Sequence, residues 1–233
     1  LNAQVYGNSN ITLLMLIAAY GGLPFDYRSS PPELNLTAAE TVDATRQVLE
    51  LVERDLIILD DSLLGSTSRI YVDPIGIYQQ FPSTEYTATT FPVGSMYNPV
   101  SYNLHTLYIN AQTAYPEACY EWMTHLLQNA YLFPGISLND PDINENIQNV
   151  LNQFTDLLTQ PNTISFPFPV PLDGAISQSH LVELQRWREA IDAAAAGDDL
   201  LSVLSDAEAQ IFAYRSCLSL YSLEAFVKTC IIH

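Results

Sequence analysis

Basic residues are what this sequence has least of. Lysine occurs once, at Lys228, and lysine plus arginine total 8 against 26 aspartates and glutamates, a formal net charge of -18. A surface of that sign repels phosphate backbones and anionic head groups, which argues against nucleic-acid binding and against adsorption to acidic membranes. The acidic residues are scattered and 48% of the chain is hydrophobic, so the acidity belongs to a globular chain and not to a disordered one. Long apolar runs are also missing. The run Ile11 to Tyr20 falls far short of the roughly 20 residues that cross a bilayer, and reads as a buried helix. No basic stretch followed by an apolar run and a cleavage site opens the chain, so a processed or incomplete chain is expected, with any export signal outside it.

Motifs for metal and catalytic chemistry are absent too. Cys119, Cys217 and Cys230 have no C-x-x-C spacing; for an exported protein they predict one disulfide and one leftover thiol, with the pair left open. The four histidines are scattered, with no H-E-x-x-H pair. Gly65-Ser66 and Gly94-Ser95 lack the rest of a nucleophile elbow, and no phosphate-binding glycine loop occurs. Asp140, Asp142 and Asn144 imitate the start of a calcium loop, but Glu145 stands where that loop needs Gly and Leu151 where it needs Glu, so helix capping explains them better. The expectation is a protein that is not an enzyme and carries no metal or cofactor.

What is present is mainly helical patterning. Asn10 can cap a helix to Tyr20, which Gly21 and Gly22 end. Leu23 to Leu36, with Pro24, Pro31 and Pro32, reads as an ordered loop. Thr37-Ala38-Ala39-Glu40 is a capping box, and Val42, Val48, Leu49, Val52 and Leu56 continue it as an amphipathic helix. From Ile57 to Leu107 short strands and loops are predicted, Leu104 to Ala111 being the strongest strand. Pro116 opens a helix whose stripe of Ala118, Cys119, Trp122, Met123, Leu126, Leu127 and Ala130 is expected to be buried. Helices follow over Asp142 to Leu158, Gln178 to Ala196 with a stop at Gly197, and Asp199 to Leu220, with a short last one near Leu223 to Thr229. The proline-rich stretch Thr159 to Gly174 separates the first of these from the second. The order predicts an α/β fold with a helix-rich end.

Three stretches resemble the family 1 extracellular solute-binding proteins, the sugar-binding type that serves ABC transporters. They are Leu14 to Leu36 (LMLIAAYGGLPFDYRSSPPELNL) with the helix that follows, Thr90 to Asn103 (TFPVGSMYNPVSYN), and Leu107 to Leu127 (LYINAQTAYPEACYEWMTHLL). The last is the most specific, joining strand, polar turn, Pro-Glu-Ala helix start and aromatic in one order. Asp198 to Cys217 is more weakly similar to the family's closing helix. The resemblance implies the helix-rich second lobe of a periplasmic-binding-protein-like fold. Residues 1–133 would form the lobe portion and 134–233 a helical carboxyl-terminal region packed on it. It implies an extracellular or cell-surface location, an ABC permease as partner, and a ligand held in a cleft against a first lobe. Family members carry that lobe before the Leu14 region, where this sequence has thirteen residues, and Gly135 to Asn139 replaces the family's Pro-x-Arg-x-Ser motif.

A sugar offers an apolar ring face and many hydroxyls, so its sites combine aromatic rings with amides and hydroxyls. Tyr20, Tyr97, Asn98, Ser101 and Tyr102 supply that chemistry, and Gly21 and Gly22 would let backbone approach a solute; these seven are the expected ligand-binding residues. Trp122 is expected in the core, and Trp187, between Arg186 and Arg188, at an exposed or interface position. The function expected is capture of a carbohydrate or similar polar solute for an ABC importer. The alternative is a structural subunit of an extracellular assembly derived from such a protein, and hence a homo-oligomer.

Overall fold

Helix α1, Ser9–Ala19, is apolar on every side, and a helix of that kind must be enclosed. Ile11, Leu13, Leu14, Met15, Ile17 and Ala18 are all buried. In the computed structural model, which describes residues 3–5, 9–58, 70–72, 87–102, 109–128, 145–167 and 175–220, the elements that enclose it come from both halves of the chain. The fold is mixed α/β with helices dominating: six helices and seven short strands among the described residues.

The strands β1 (Ala3–Val5), β4 (Ile57–Ile58) and β5 (Ile70–Val72) form a parallel sheet in the order β4-β1-β5. Gly21, at φ +97°, ends α1. Its N–H donates to Ala18 and that of Gly22 to Ile17, at 2.9 and 3.0 Å, the paired bonds by which a left-handed glycine satisfies the last carbonyls of a helix. The stretch expected to be only a loop then pairs Phe25–Asp26 (β2) with Glu33–Leu34 (β3) as an antiparallel hairpin.

Helix α2, Ala39–Glu53, buries Thr41, Val42, Ala44, Thr45 and Val48. The expected capping box does not form. The residue before the helix is Ala38, without a side-chain cap, and the Thr37 hydroxyl donates instead to Glu208 Oε2 at 2.7 Å. Glu208 Oε1 also takes the Leu36 N–H at 3.1 Å, so one carboxylate holds both residues ahead of the helix.

Strand β6, Asn98–Tyr102, runs parallel to β7, Thr163–Pro167, with Asn98 opposite Thr163 and Tyr102 opposite Pro167. In the stretch expected to hold the best strand, residues 104–108 lie outside the described residues and 109–111 are not strand. Pro99 discourages a strand reading of 98–102, yet among the described residues β6 pairs on one side only, and on the other a missing N–H costs nothing.

Helix α3, Pro116–Gln128, starts at the expected proline, and α4 covers Glu145–Leu158. The longest two are α5, Ala175–Ala195, and α6, Leu200–Leu220. Gly197, at φ +111°, stops α5 as expected, and Asp199 Oδ2 accepts the Ser202 N–H at 2.9 Å to cap α6. Leu184, Trp187, Ala190 and Ile191 of α5 and Leu204, Ala207 and Ile211 of α6 share one apolar core with α1, α2 and two β7 residues, Ile164 and Phe166. No helix among the described residues is long and apolar enough to cross a membrane.

Cys217 is disulfide-bonded and Cys119 is a free, half-buried thiol. Cys230, residues 135–144 and 223–229, and with them the calcium-loop imitation and the expected last helix, lie outside the described residues.

Candidate functional site

Two close approaches bring the end of α1 to the segment entering β6. Gly94 sits so tightly on α1 that a Cβ there would lie 2.3 Å from the Ala19 carbonyl oxygen, and Gly21 lies against the Met96 side chain. Tyr20, 41% exposed, lies between these two contacts, at the end of α1. Gly21 and Gly22 are themselves buried. The space beside Gly22 is taken by α2: a Cβ would meet Ala44 Cβ, Ile17 Cγ2 and Thr41 Cα at 2.8 to 2.9 Å. Its small size therefore serves the packing of two helices.

Tyr97 is half-buried beneath Arg28, whose guanidinium lies 6.0 Å from the ring centroid. Arg28 is held by Asp26, which accepts from Nε at 2.8 Å, from Nη2 at 2.5 Å and from the Arg28 backbone N–H at 3.0 Å. These bonds keep the Asp26 carboxyl below the usual carboxylate range although burial opposes them, and they raise the Arg28 pKa in turn.

Alternation along β6 divides the remaining candidates between two faces. Asn98, Val100 and Tyr102 share one, Pro99 and Ser101 the other. The buried Asn98 amide Nδ2 donates to Gln160 Oε1 at 2.6 Å and to Asn162 Oδ1 at 3.0 Å. The orientation of these amides follows from their surroundings. Asn162 Nδ2 donates to the Met96 carbonyl at 3.3 Å, so its oxygen must face Asn98, which can meet it only with a nitrogen. Both Asn98 donors are thus spent on fixing the turn before β7. At the other end of the strand Tyr102 is 39% exposed and stands nearly perpendicular to Phe154 of α4, centroids 5.7 Å apart. Ser101, opposite Phe166, buries its hydroxyl oxygen with no hydrogen-bond partner among the described residues.

Phe166 leads to a polar chain that the sequence reading missed. Its ring packs 5.5 Å from Tyr27, whose hydroxyl is 2.9 Å from His180 Nε2. His180 Nδ1 is 3.5 Å from Glu183 Oε2, and Arg215 grips both Glu183 oxygens at 2.8 Å while donating to the Pro32 carbonyl at 2.7 Å. Burial alone would raise the Glu183 pKa, but the hydrogen bonds and charges of Arg215 and His180 outweigh it and hold the group below its ordinary value. Burial, and then the Glu183 charge, push the Tyr27 phenol well above its ordinary range. At neutral pH Glu183 is an acceptor only, so the imidazole proton sits on Nδ1, and the Tyr27 hydroxyl donates to Nε2 when the ring is neutral. A protonated phenol and a carboxylate locked on arginine have no free nucleophile to offer. Their effect is to tie the β2–β3 hairpin to α5 and α6. The pair His180 and Glu183, three apart on a helix, is the one local signal of this chain; its other links join residues 153, 32 and 183 positions apart.

Two tryptophan expectations are reversed. Trp122, expected in the core, is 61% exposed, and of its stripe Leu126 is buried while Ala118 is exposed. Trp187, expected at the surface, is fully buried, edge-on to Phe25 at 6.1 Å. The arginines beside it turn aside, Arg186 to Glu189 and Arg188 to Asp192. Among the described residues no group of three histidines, cysteines or acidic residues is arranged to hold a metal ion. No protein-family model matches the sequence, and no curated protein matches it.

Proposed function

We propose that this chain is the ligand-capturing part of an extracellular solute-binding protein, the second lobe of a periplasmic-binding-protein-like fold, taking a carbohydrate or similar polar solute for an ABC permease. The observation that carries the reading is the position of the exposed Tyr102 at the carboxyl end of a parallel strand pair, the end at which α/β proteins seat their ligands. The exposed ring meets one need of a sugar, an apolar platform, whereas the Ser101 hydroxyl is buried on the opposite face of β6. The sequence resemblance adds support, since the segment that carries it forms a helix, a Gly-Gly exit, a hairpin and a second helix. In the two-lobed arrangement the solute bridges the lobes, and its affinity and their closure are one free energy. Titration calorimetry of the intact protein against a panel of neutral oligosaccharides tests this. A binder at a hundred times its dissociation constant adds about 2.7 kcal/mol, which should raise Tm by about 5 °C or more for a chain of this length. No heat and no shift with any solute overturns the reading.

A second reading, the structural subunit of an extracellular assembly, is favoured by the aromatic residues at α3. Tyr115, Tyr120 and Trp122 are all well exposed there, and surface of that kind marks contact sites. Light scattering decides: a concentration-dependent assembly supports this reading, and a discrete monomer removes it.

A further inference from the structure

We propose that α3 is a docking face for an arginine-bearing segment of a partner protein. The inference goes beyond the solute-binding reading and holds whether or not a solute binds. Helix α3 turns its largest rings away from its own core. Cys119, Met123 and Leu126, at i, i+4 and i+7, form its half-buried to buried inner side, while Tyr115, Tyr120 and Trp122 are 74%, 66% and 61% exposed. Ala118, one turn before Trp122 and itself exposed, is too small to cover the indole. Tyrosine and tryptophan are the residue types that carry most of the energy of protein contacts, and here they stand together on an outer surface.

Charge selects the occupant. Glu117 and Glu121, one turn apart and both exposed, have no ion-pair partner among the described residues. No lysine or arginine occurs between Arg69 and Arg186, so no cation adjacent in sequence neutralises them. A face of aromatic rings and unpaired carboxylates matches the guanidinium group, which stacks on rings and meets carboxylates with two N–H groups, as an ammonium does not. A second copy of this chain is poorly suited. Two α3 faces meeting about a two-fold axis would set glutamates against glutamates. Elsewhere on the chain Arg28, Arg46, Arg186, Arg188 and Arg215 are held by carboxylates of their own chain, which leaves Arg54 alone among the described arginines. The guanidinium groups therefore come from a different protein.

The test is titration of the intact protein with a decapeptide of alternating arginine and glycine, against the same peptide with lysine for arginine, read by anisotropy of a neutral dye on the peptide. The arginine peptide should bind at least about threefold more tightly than the lysine peptide, and binding should weaken as salt is added. It should also shift the emission of Trp122, which is open to solvent, and W122A should abolish the shift, because Trp187 is enclosed. Y115A/W122A and E117Q/E121Q should each weaken binding about tenfold. E53Q/D206N, which removes the same charge from exposed positions on α2 and α6, should weaken it less than about twofold. Equal affinity for the two peptides, equal losses in the two charge variants, or no binding by the unaltered protein each overturns the inference. Self-association that W122A abolishes overturns it too, in favour of a second copy on α3.

Discussion

At the residue scale, Glu183 is the side chain on which most depends. Its two oxygens take two N–H groups of Arg215, and it is the only carboxylate in contact with His180 among the described residues. Removing it leaves the half-buried Arg215 guanidinium without its counter-charge, so E183A should lose about 2–4 kcal/mol in urea denaturation, more than an exposed pair would cost. The exposed pair Arg46–Asp43 is the internal control: D43A should change stability by less than about 0.5 kcal/mol. The two tryptophans give a second contrast. W187A empties a fully enclosed site and should cost about 3–5 kcal/mol, whereas W122A, in the open, should be nearly silent. Helical spacing suggested the opposite ranking, because periodicity identifies a stripe without saying whether another element covers it. For Trp187 the flanking arginines misled, since consecutive helix positions point 100° apart and charges beside a residue say little about its own direction.

At the element scale, glycine marks two boundaries and glutamate a third. The stops at Gly21 and Gly197 were legible in the sequence, because only glycine adopts a positive φ freely and a helical pattern ended at each. Their neighbours in space differ. Gly197 has nothing within 4 Å of an added Cβ, so G197A should cost only the left-handed strain, about 1–2 kcal/mol. At Gly22 a Cβ would strike Ala44, Ile17 and the Thr41 backbone, so G22A must push α1 and α2 apart. Overpacking of this kind costs about 1–3 kcal/mol, and a still larger residue more, so G22V should exceed G197V in urea denaturation. The role of Glu208 was not legible at all. Thr37 and Glu40 have the spacing of a capping box, and a local rule has no means of seeing a carboxylate 171 residues away that takes the Thr37 hydroxyl as its donor. The candidate site followed the same pattern. Residue chemistry nominated Tyr102 and Ser101, while Phe154, Gln160 and Asn162, which touch the nominated strand, are joined to it only by the fold.

At the scale of the whole molecule, the charge legible from the first line of sequence sets how stability responds to pH and salt. With -18 charges at pH 7 the folded state repels itself, and the repulsion weakens as carboxylates protonate on the way to a pI near 4.2. Asp26 and Glu183 work in the other direction. Their folded-state pKa values lie below the unfolded ones, so their contribution is complete above the unfolded values of about 3.9 and 4.3 and is lost as the pH falls through the folded values. Falling pH therefore first relieves repulsion and then removes two anchored carboxylates. Tm should pass through a maximum near pH 5 and drop steeply below about pH 4. Salt separates the two effects, since the screening length shrinks from about 30 Å at 0.01 M to about 3 Å at 1 M and acts on dispersed surface charge far more than on the partly buried Glu183–Arg215 pair. Added sodium chloride should accordingly raise Tm by a few degrees at pH 7.5, do little at pH 5, and leave the acid limb near pH 4 in place. A Tm at pH 7.5 that does not move with salt would mean that repulsion is not what limits the molecule there. In that case the whole pH profile should instead follow Asp26 and Glu183, flat above pH 5, and the double variant D26N/E183Q should lose the acid limb.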